Sequence, residues 1–186
     1  MPKYMKIKPI IVVSGEPYSV FLEIFFKSLK YKKYKSPLIL ISSLKLLKLQ
    51  MKKLKFKMNI KLIDYKNINK CKLNNNYINL ININYNPKQA FENISNKSNL
   101  YIKKSFDKAL EIIKLNLSNK LINGPISKKN FLNKKYLGIT EYLAKKSNSK
   151  KIAMLIYNKK LSVCPITTHL PLKMVPKKIT KKIIYE

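Results

Sequence analysis

Short, continuously apolar runs alternate with amphipathic stretches along the first part of the chain. Pro9–Ser14 (PIIVVS) is apolar throughout and stops at Gly15, the pattern of a strand buried on both faces. Gly15-Glu16-Pro17 then makes a turn. A helix is predicted next, with Ser19 as its cap and Phe21, Ile24, Phe25 and Leu29 on one face. Pro37–Ile41 (PLILI) reads as a second buried strand, and Leu44–Leu54 as a helix with Leu44, Leu47, Met51 and Leu54 in register. Asn59–Asp64 is a third strand. Buried strands alternating with amphipathic helices predict an α/β layered domain with a mainly parallel sheet.

Residues 66–99 break the pattern. They are rich in asparagine, and only Tyr77–Ile83 supports a strand; the rest reads as loop. Helical spacing returns over Leu100–Leu117, where Ile102, Phe106, Ala109, Leu110, Ile113 and Leu117 share a face and Asp107 lies four residues from Lys103. A strand is predicted over Lys120–Asn123, a helix capped by Ser127 through Phe131, and a short helix over Glu141–Lys146. Ile152–Tyr157 and Leu161–Pro165 read as paired strands around Asn158-Lys159-Lys160. Val175, Ile179 and Ile183 mark a last helix beginning near Pro176. It lacks a stop signal, so the chain is expected to be truncated within it.

Composition then limits the function classes. The 186 residues suit one domain, and 46% apolar content rules out wholesale disorder. The net charge of +32 invites a nucleic-acid reading. All 40 basic residues are lysine, however, and they travel with asparagine and isoleucine along the whole sequence, as an AT-rich coding bias produces. Bidentate recognition of bases and phosphates draws on arginine, so polyanion contact is expected to be non-specific. Cys71 and Cys164 form no ligand pattern. No apolar run approaches membrane-spanning length and no signal peptide is evident, so a cytoplasmic protein is expected.

Candidate chemistry gathers at few positions. His169, the single histidine, sits in VCPITTHLPLK on the segment leaving the predicted strand Leu161–Pro165, where open α/β sheets collect ligands. Only three glycines occur: Gly15, Gly124 and Gly138. Each lies at a strand end or before a helix; singly each reads as an ordinary tight turn, while the three together with TTHLPL suggest a site where backbone N–H groups can receive an anion. Lys128 follows the Gly124 turn and is expected to be solvated. Glu16 and Glu141 read as turn and helix-start residues, not as acids or bases.

SGEP, NGPISK, GITEYLAKK and VCPITTHLPLK, in this order, resemble the first half of the 4-hydroxythreonine-4-phosphate dehydrogenase family of pyridoxal phosphate biosynthesis. The likeness covers the chain from about Pro9 and is weakest over residues 66–99. It implies a layered α/β/α, isopropylmalate-dehydrogenase-like fold over residues 1–186, incomplete because the second half of the family fold is missing. It implies oxidation of 4-phosphooxy-L-threonine, a phosphorylated hydroxy amino acid, to a 3-oxo acid that decarboxylates. The cofactors implied are NAD (or NADP) and a divalent metal (Zn, Mg or Co), and the assembly implied is a homodimer. His169 falls on one of three metal-holding histidines. In the substrate-binding GHTE motif Thr140 matches, while Ile139 replaces the histidine and can donate no hydrogen bond. The chain alone is therefore expected to be an inactive fragment. The alternative is a non-catalytic, lysine-rich polyanion- or RNA-binding protein, which would bind with steep salt dependence and a structural preference.

Overall fold

The computed structural model describes residues 7–133, 135–149, 152–167 and 170–185. They fall into two units, Met1–Lys146 and Ser147–Glu186. The first is built on a five-stranded sheet: β1 (Ile10–Val13), β2 (Leu38–Ser42), β3 (Ile60–Leu62), β4 (Ile78–Asn82) and β5 (Leu121–Asn123). The order across it is β3-β4-β2-β1-β5, and every pairing is parallel. Apolar residues fill both sides of the central strands, so alternate positions feed two cores. Ile11, Val13, Ile39, Ile41 and Ile81 face one. Val12, Leu38, Leu40, Ile78 and Leu80 face the other.

Two helices cover that second face: α1 (Phe21–Tyr31) and α2 (Leu44–Lys53). Ser43 caps α2 by accepting from Leu46 N, and Leu46, Leu47 and Met51 are buried. The buried stripe of α1 is Leu22, Phe25 and Phe26 with Leu29 beside them, while Ile24 is 56% exposed. Of the expected stripe, Phe21, Phe25 and Leu29 pack on this core and only Ile24 is corrected to an outward position; Leu22 and Phe26 widen the stripe. Ser19 accepts from Phe21 N at 3.3 Å although Val20 occupies the cap position.

The opposite face carries α3 (Asn99–Lys114) and α4 (Ile139–Lys146). Tyr101, Ile102, Phe106, Ala109 and Ile112 of α3 pack there with Leu132 and Tyr142. Phe106 stands 6.3 Å from Phe131 and edge-on to Tyr142 at 5.8 Å, centroid to centroid. The expected Lys103–Asp107 pair forms at 3.2 Å, and Lys146 of α4 meets the same carboxylate at 3.1 Å. The turn capped by Ser127 is a single wide helical turn, Lys128–Leu132, with Ser127 Oγ accepting from Asn130 N. Layered α/β/α architecture results, as the sequence predicts.

The second unit departs from expectation. Where paired strands are predicted, the described residues show one isolated antiparallel bridge, Ile156 to Val163, with N–H···O distances of 2.8 and 2.9 Å. The last helix is two short ones, α5 (Val175–Lys178) and α6 (Lys181–Tyr185), separated at Ile179, whose backbone is extended. A lone hairpin and helices this short are marginal without an apolar surface to pack on. Ile156, Leu161, Val163, Ile179 and Ile183 all remain exposed.

Candidate functional site

In a parallel sheet ligands collect at the carboxyl ends of strands whose connections leave to opposite faces. That condition holds between β1, which leads to α1, and β5, which leads towards α4. It holds again between β2, which leads to α2, and β4, which leads to α3. The carboxyl edge of the sheet therefore concentrates the candidate chemistry of the first unit.

At the β1–β5 crevice the SGEP and NGP turns press backbone on backbone. Gly15 has φ +70°, and a methyl group added there would strike the carbonyl oxygens of Pro125 and Gly124, the latter at 2.8 Å. A methyl on Gly124 would strike the Ser14 carbonyl oxygen and, at 2.8 Å, the Phe21 ring. Two hydrogen bonds seal the contact: Gly124 N to Val13 O at 2.7 Å and Glu16 N to Pro125 O at 2.8 Å. These amides are consumed, so the expected anion cradle at Gly15 and Gly124 is corrected: the glycines permit close approach of two turns. Gly138 lies before α4 with no left-handed backbone, and Glu141 Oε2 is 3.1 Å from where its methyl would stand.

Behind the crevice lies a polar cluster that sequence reasoning missed. The Tyr101 hydroxyl, in a side chain only 2% exposed, sits 2.7 Å from Ser14 Oγ and 3.0 Å from Ser42 Oγ. It thereby ties the ends of β1 and β2 to α3, and burial pushes its titration upward. Glu16 is equally buried; burial raises its carboxyl above the usual range, with the Ser98 hydroxyl opposing. Tyr85 donates to Tyr18 at 3.1 Å, and burial raises both phenols. Gln50 of α2 donates to the carbonyls of Pro17 and Ala90. The only available signal was an acid placed directly after a strand-ending glycine in a chain with eight acids.

The other expected positions are dispersed. Thr140 is exposed in the first turn of α4. Ile139 beside it is half-buried and packs on the α3-side core. Lys128 is exposed, as expected. His169 and the neighbouring Thr168 lie outside the described residues. Among the described residues no three His, Cys, Asp or Glu side chains could hold a metal together. No helix among them is long and apolar enough to cross a membrane.

Comparison with known proteins gives this arrangement a family. The profile of "Pyridoxal phosphate biosynthetic protein PdxA" matches residues 33–186. A 4-hydroxythreonine-4-phosphate dehydrogenase of Sulfurihydrogenibium sp. (strain YO3AOP1) is 34% identical over 179 residues, covering 94% of this chain and 54% of the relative. Its namesake from Aquifex aeolicus (strain VF5) is 51% identical over 49 residues, 26% of this chain and 15% of that one. Solved 4-hydroxythreonine-4-phosphate dehydrogenases from Burkholderia phymatum and Klebsiella pneumoniae superpose with TM-scores of 0.80 and 0.81 at 21% identity, each over 96% of this chain and 56% of theirs. The chain thus shares their fold and spans about half their length. It belongs to the PdxA family of pyridoxal phosphate biosynthetic proteins.

Proposed function

We propose that this chain is the substrate-side portion of a dehydrogenase that oxidises 4-phosphooxy-L-threonine with NAD or NADP, within a homodimer. The observation that supports this is family membership across residues 33–186, a span that includes the GITE and TTHLPL motifs. In the overall reaction the secondary alcohol loses hydride to the nicotinamide and its hydroxyl proton to solvent, giving the 3-oxo acid. A carboxylate beta to that ketone can then leave as carbon dioxide.

Thr140 is the residue of this chain best placed to meet the substrate. Its hydroxyl is exposed at the start of α4, where the helix dipole favours an anionic carboxylate or phosphate. Ile139 contributes packing instead of a donor. The divalent metal of the family is not matched by this donor set: a catalytic site of this kind takes about three protein ligands, and the chain holds one histidine. No step is therefore assigned to a metal on these residues.

Two results are expected. The purified 186-residue chain, given NAD, zinc or magnesium and 4-phosphooxy-L-threonine, produces no NADH measurable by absorbance. Turnover above a protein-free blank would refute the need for a larger protein. Calorimetric titration of the same ligand should show Ile139→His tightening binding about tenfold, the worth of one hydrogen bond to a charged group. Thr140→Val should weaken it. Unchanged affinity in both variants would remove these two positions from the substrate site.

A further inference from the structure

One acidic group at the carboxyl edge has surroundings that suit a neutral acid. Glu16 is 2% exposed. Its Oε1 lies 2.9 Å from Ser98 Oγ, and its Oε2 has no hydrogen-bond partner. Among the described residues, the ion pairs engage Glu23, Asp107 and Glu111, never Glu16. An ionised carboxylate buried without a cation carries a large desolvation cost.

Proton counting leads the same way. Ser98 Oγ is also 3.0 Å from the carbonyl oxygen of Ser95. A serine hydroxyl has one proton to donate, so an ionised Glu16 and Ser95 O would compete for it. With Glu16 neutral, Oε1 can donate to Ser98 Oγ, which then donates to Ser95 O; with Glu16 ionised, the single Ser98 proton is shared between Glu16 Oε1 and Ser95 O.

This short relay closes one end of a long irregular segment. Residues 83–95, between β4 and the helical turn Asn96–Ser98 that precedes α3, have no regular structure. The segment is tied to the strand ends at several points: Ile83 N to Ser42 O, Ser43 Oγ to Tyr85 O, Tyr85 Oη to Tyr18 Oη, and Gln50 Nε2 to Ala90 O. Glu16–Ser98 is the last tie before α3. We propose that Glu16 is a protonation latch: as the neutral acid it fastens residues 83–98 across the carboxyl edge through Ser98, and its ionisation releases them.

The neighbouring titratable groups do not supply a competing switch. Tyr18 on the β1 turn, Tyr85 on the segment and Tyr101 on α3 are phenols that burial pushes upward. Glu92 on the segment is held below the usual carboxylate range, first by the Gln89 N–H and next by the Tyr18 hydroxyl, so it is already ionised where Glu16 titrates. Lys88 and Lys97 on the segment are exposed. α2 offers the neutral Gln50.

The sign follows from proton linkage. The closed state holds the Glu16 proton more tightly than the open state, so closure is favoured at low pH and lost as pH rises through the raised pKa. Hydrogen exchange by mass spectrometry on the full chain tests this, with Glu16→Gln as reference. The carboxamide can donate to Ser98 as the neutral acid does, and it cannot titrate. The ratio of wild-type to variant exchange over residues 83–98 should climb about tenfold per pH unit between the ordinary and the raised Glu16 pKa, then level off. Peptides from β1 and β2 should keep a constant ratio. A ratio over 83–98 that stays flat with pH overturns the latch. If the variant does not fold, carboxyl carbon NMR of the wild type decides. One of the eight acids should stay protonated after the others have ionised, and eight ordinary titrations overturn the proposal.

Discussion

Replacing Gly124 by alanine is expected to destabilise the chain by about 3 kcal/mol or more, the sum of an overpacked contact and weakened hydrogen bonds. The new methyl would meet the Ser14 carbonyl oxygen and the Phe21 ring, and neither can yield cheaply. Ser14 directly follows β1, which is paired on both sides, to β2 and β5. Phe21 begins α1 and packs beside the core under that helix. Relief requires parting the two turns, which stretches Gly124 N to Val13 O and Glu16 N to Pro125 O. Gly15→Ala should cost a similar amount, since it adds strain at φ +70° to a collision with the same turn. The two effects should not sum in the double variant, because the first to open the contact relieves the second. Gly138→Ala serves as control, at less than about 1 kcal/mol, because its methyl meets only the far end of the Glu141 side chain, which can turn aside. Urea midpoints compare the three; equal losses for Gly124 and Gly138 would discard the close-approach account.

The pattern of apolar positions revealed the sheet well, because a strand buried on both faces leaves a contiguous run that few other structures need. The runs at Pro9–Ser14 and Pro37–Ile41 became β1 and β2 within a residue or two. It was weaker where two stripes competed. FLEIFF offers Phe21–Ile24–Phe25 and Leu22–Phe25–Phe26 at the same spacing, and only the sheet beneath decides that Phe21, Leu22, Phe25 and Phe26 pack on it while Ile24 faces out. Beyond Ser147 the expected strands reduce to one bridge and the expected helix to two short ones, because local pattern alone does not stabilise a hairpin or a short helix. At the candidate site the scarcity of glycine singled out Gly15 and Gly124 correctly. Their role needed three dimensions, since an anion-binding turn and a turn pressed on its neighbour look alike in sequence. Tyr101 was invisible for another reason: an aromatic at a helical core position gives no hint that its hydroxyl reaches two serines on separate strands.

The asparagine-rich stretch shows how composition can hide a structural device, and it yields the second large effect. Asn75 is one of three successive asparagines, and it does the work of a short strand. Its Oδ1 accepts from Leu38 N at 2.8 Å, and its Nδ2 donates to Tyr34 O at 3.1 Å and Ser36 O at 3.0 Å. One side chain thus satisfies three backbone groups on the segment that leads into β2. Asn79, buried in β4, extends the same clamp by donating to Leu38 O and Asn74 O. Asn75→Ala removes all three bonds and is expected to cost about 3 kcal/mol, roughly 1 kcal/mol for each lost partner. Aspartate should recover only part of this, since it can accept from Leu38 N but cannot donate to the two carbonyls. Asn76, next in sequence, is exposed and shows no side-chain bond of this kind; its alanine variant should stay within about 0.5 kcal/mol of the parent. Thermal or urea unfolding of the three variants separates the two explanations for the asparagine run. If Asn75→Ala and Asn76→Ala unfold alike, coding bias accounts for both positions and the clamp contributes nothing. If Asn75 alone is sensitive, a biased composition has been put to structural use, because the amide is the side chain that both donates and accepts at the required reach.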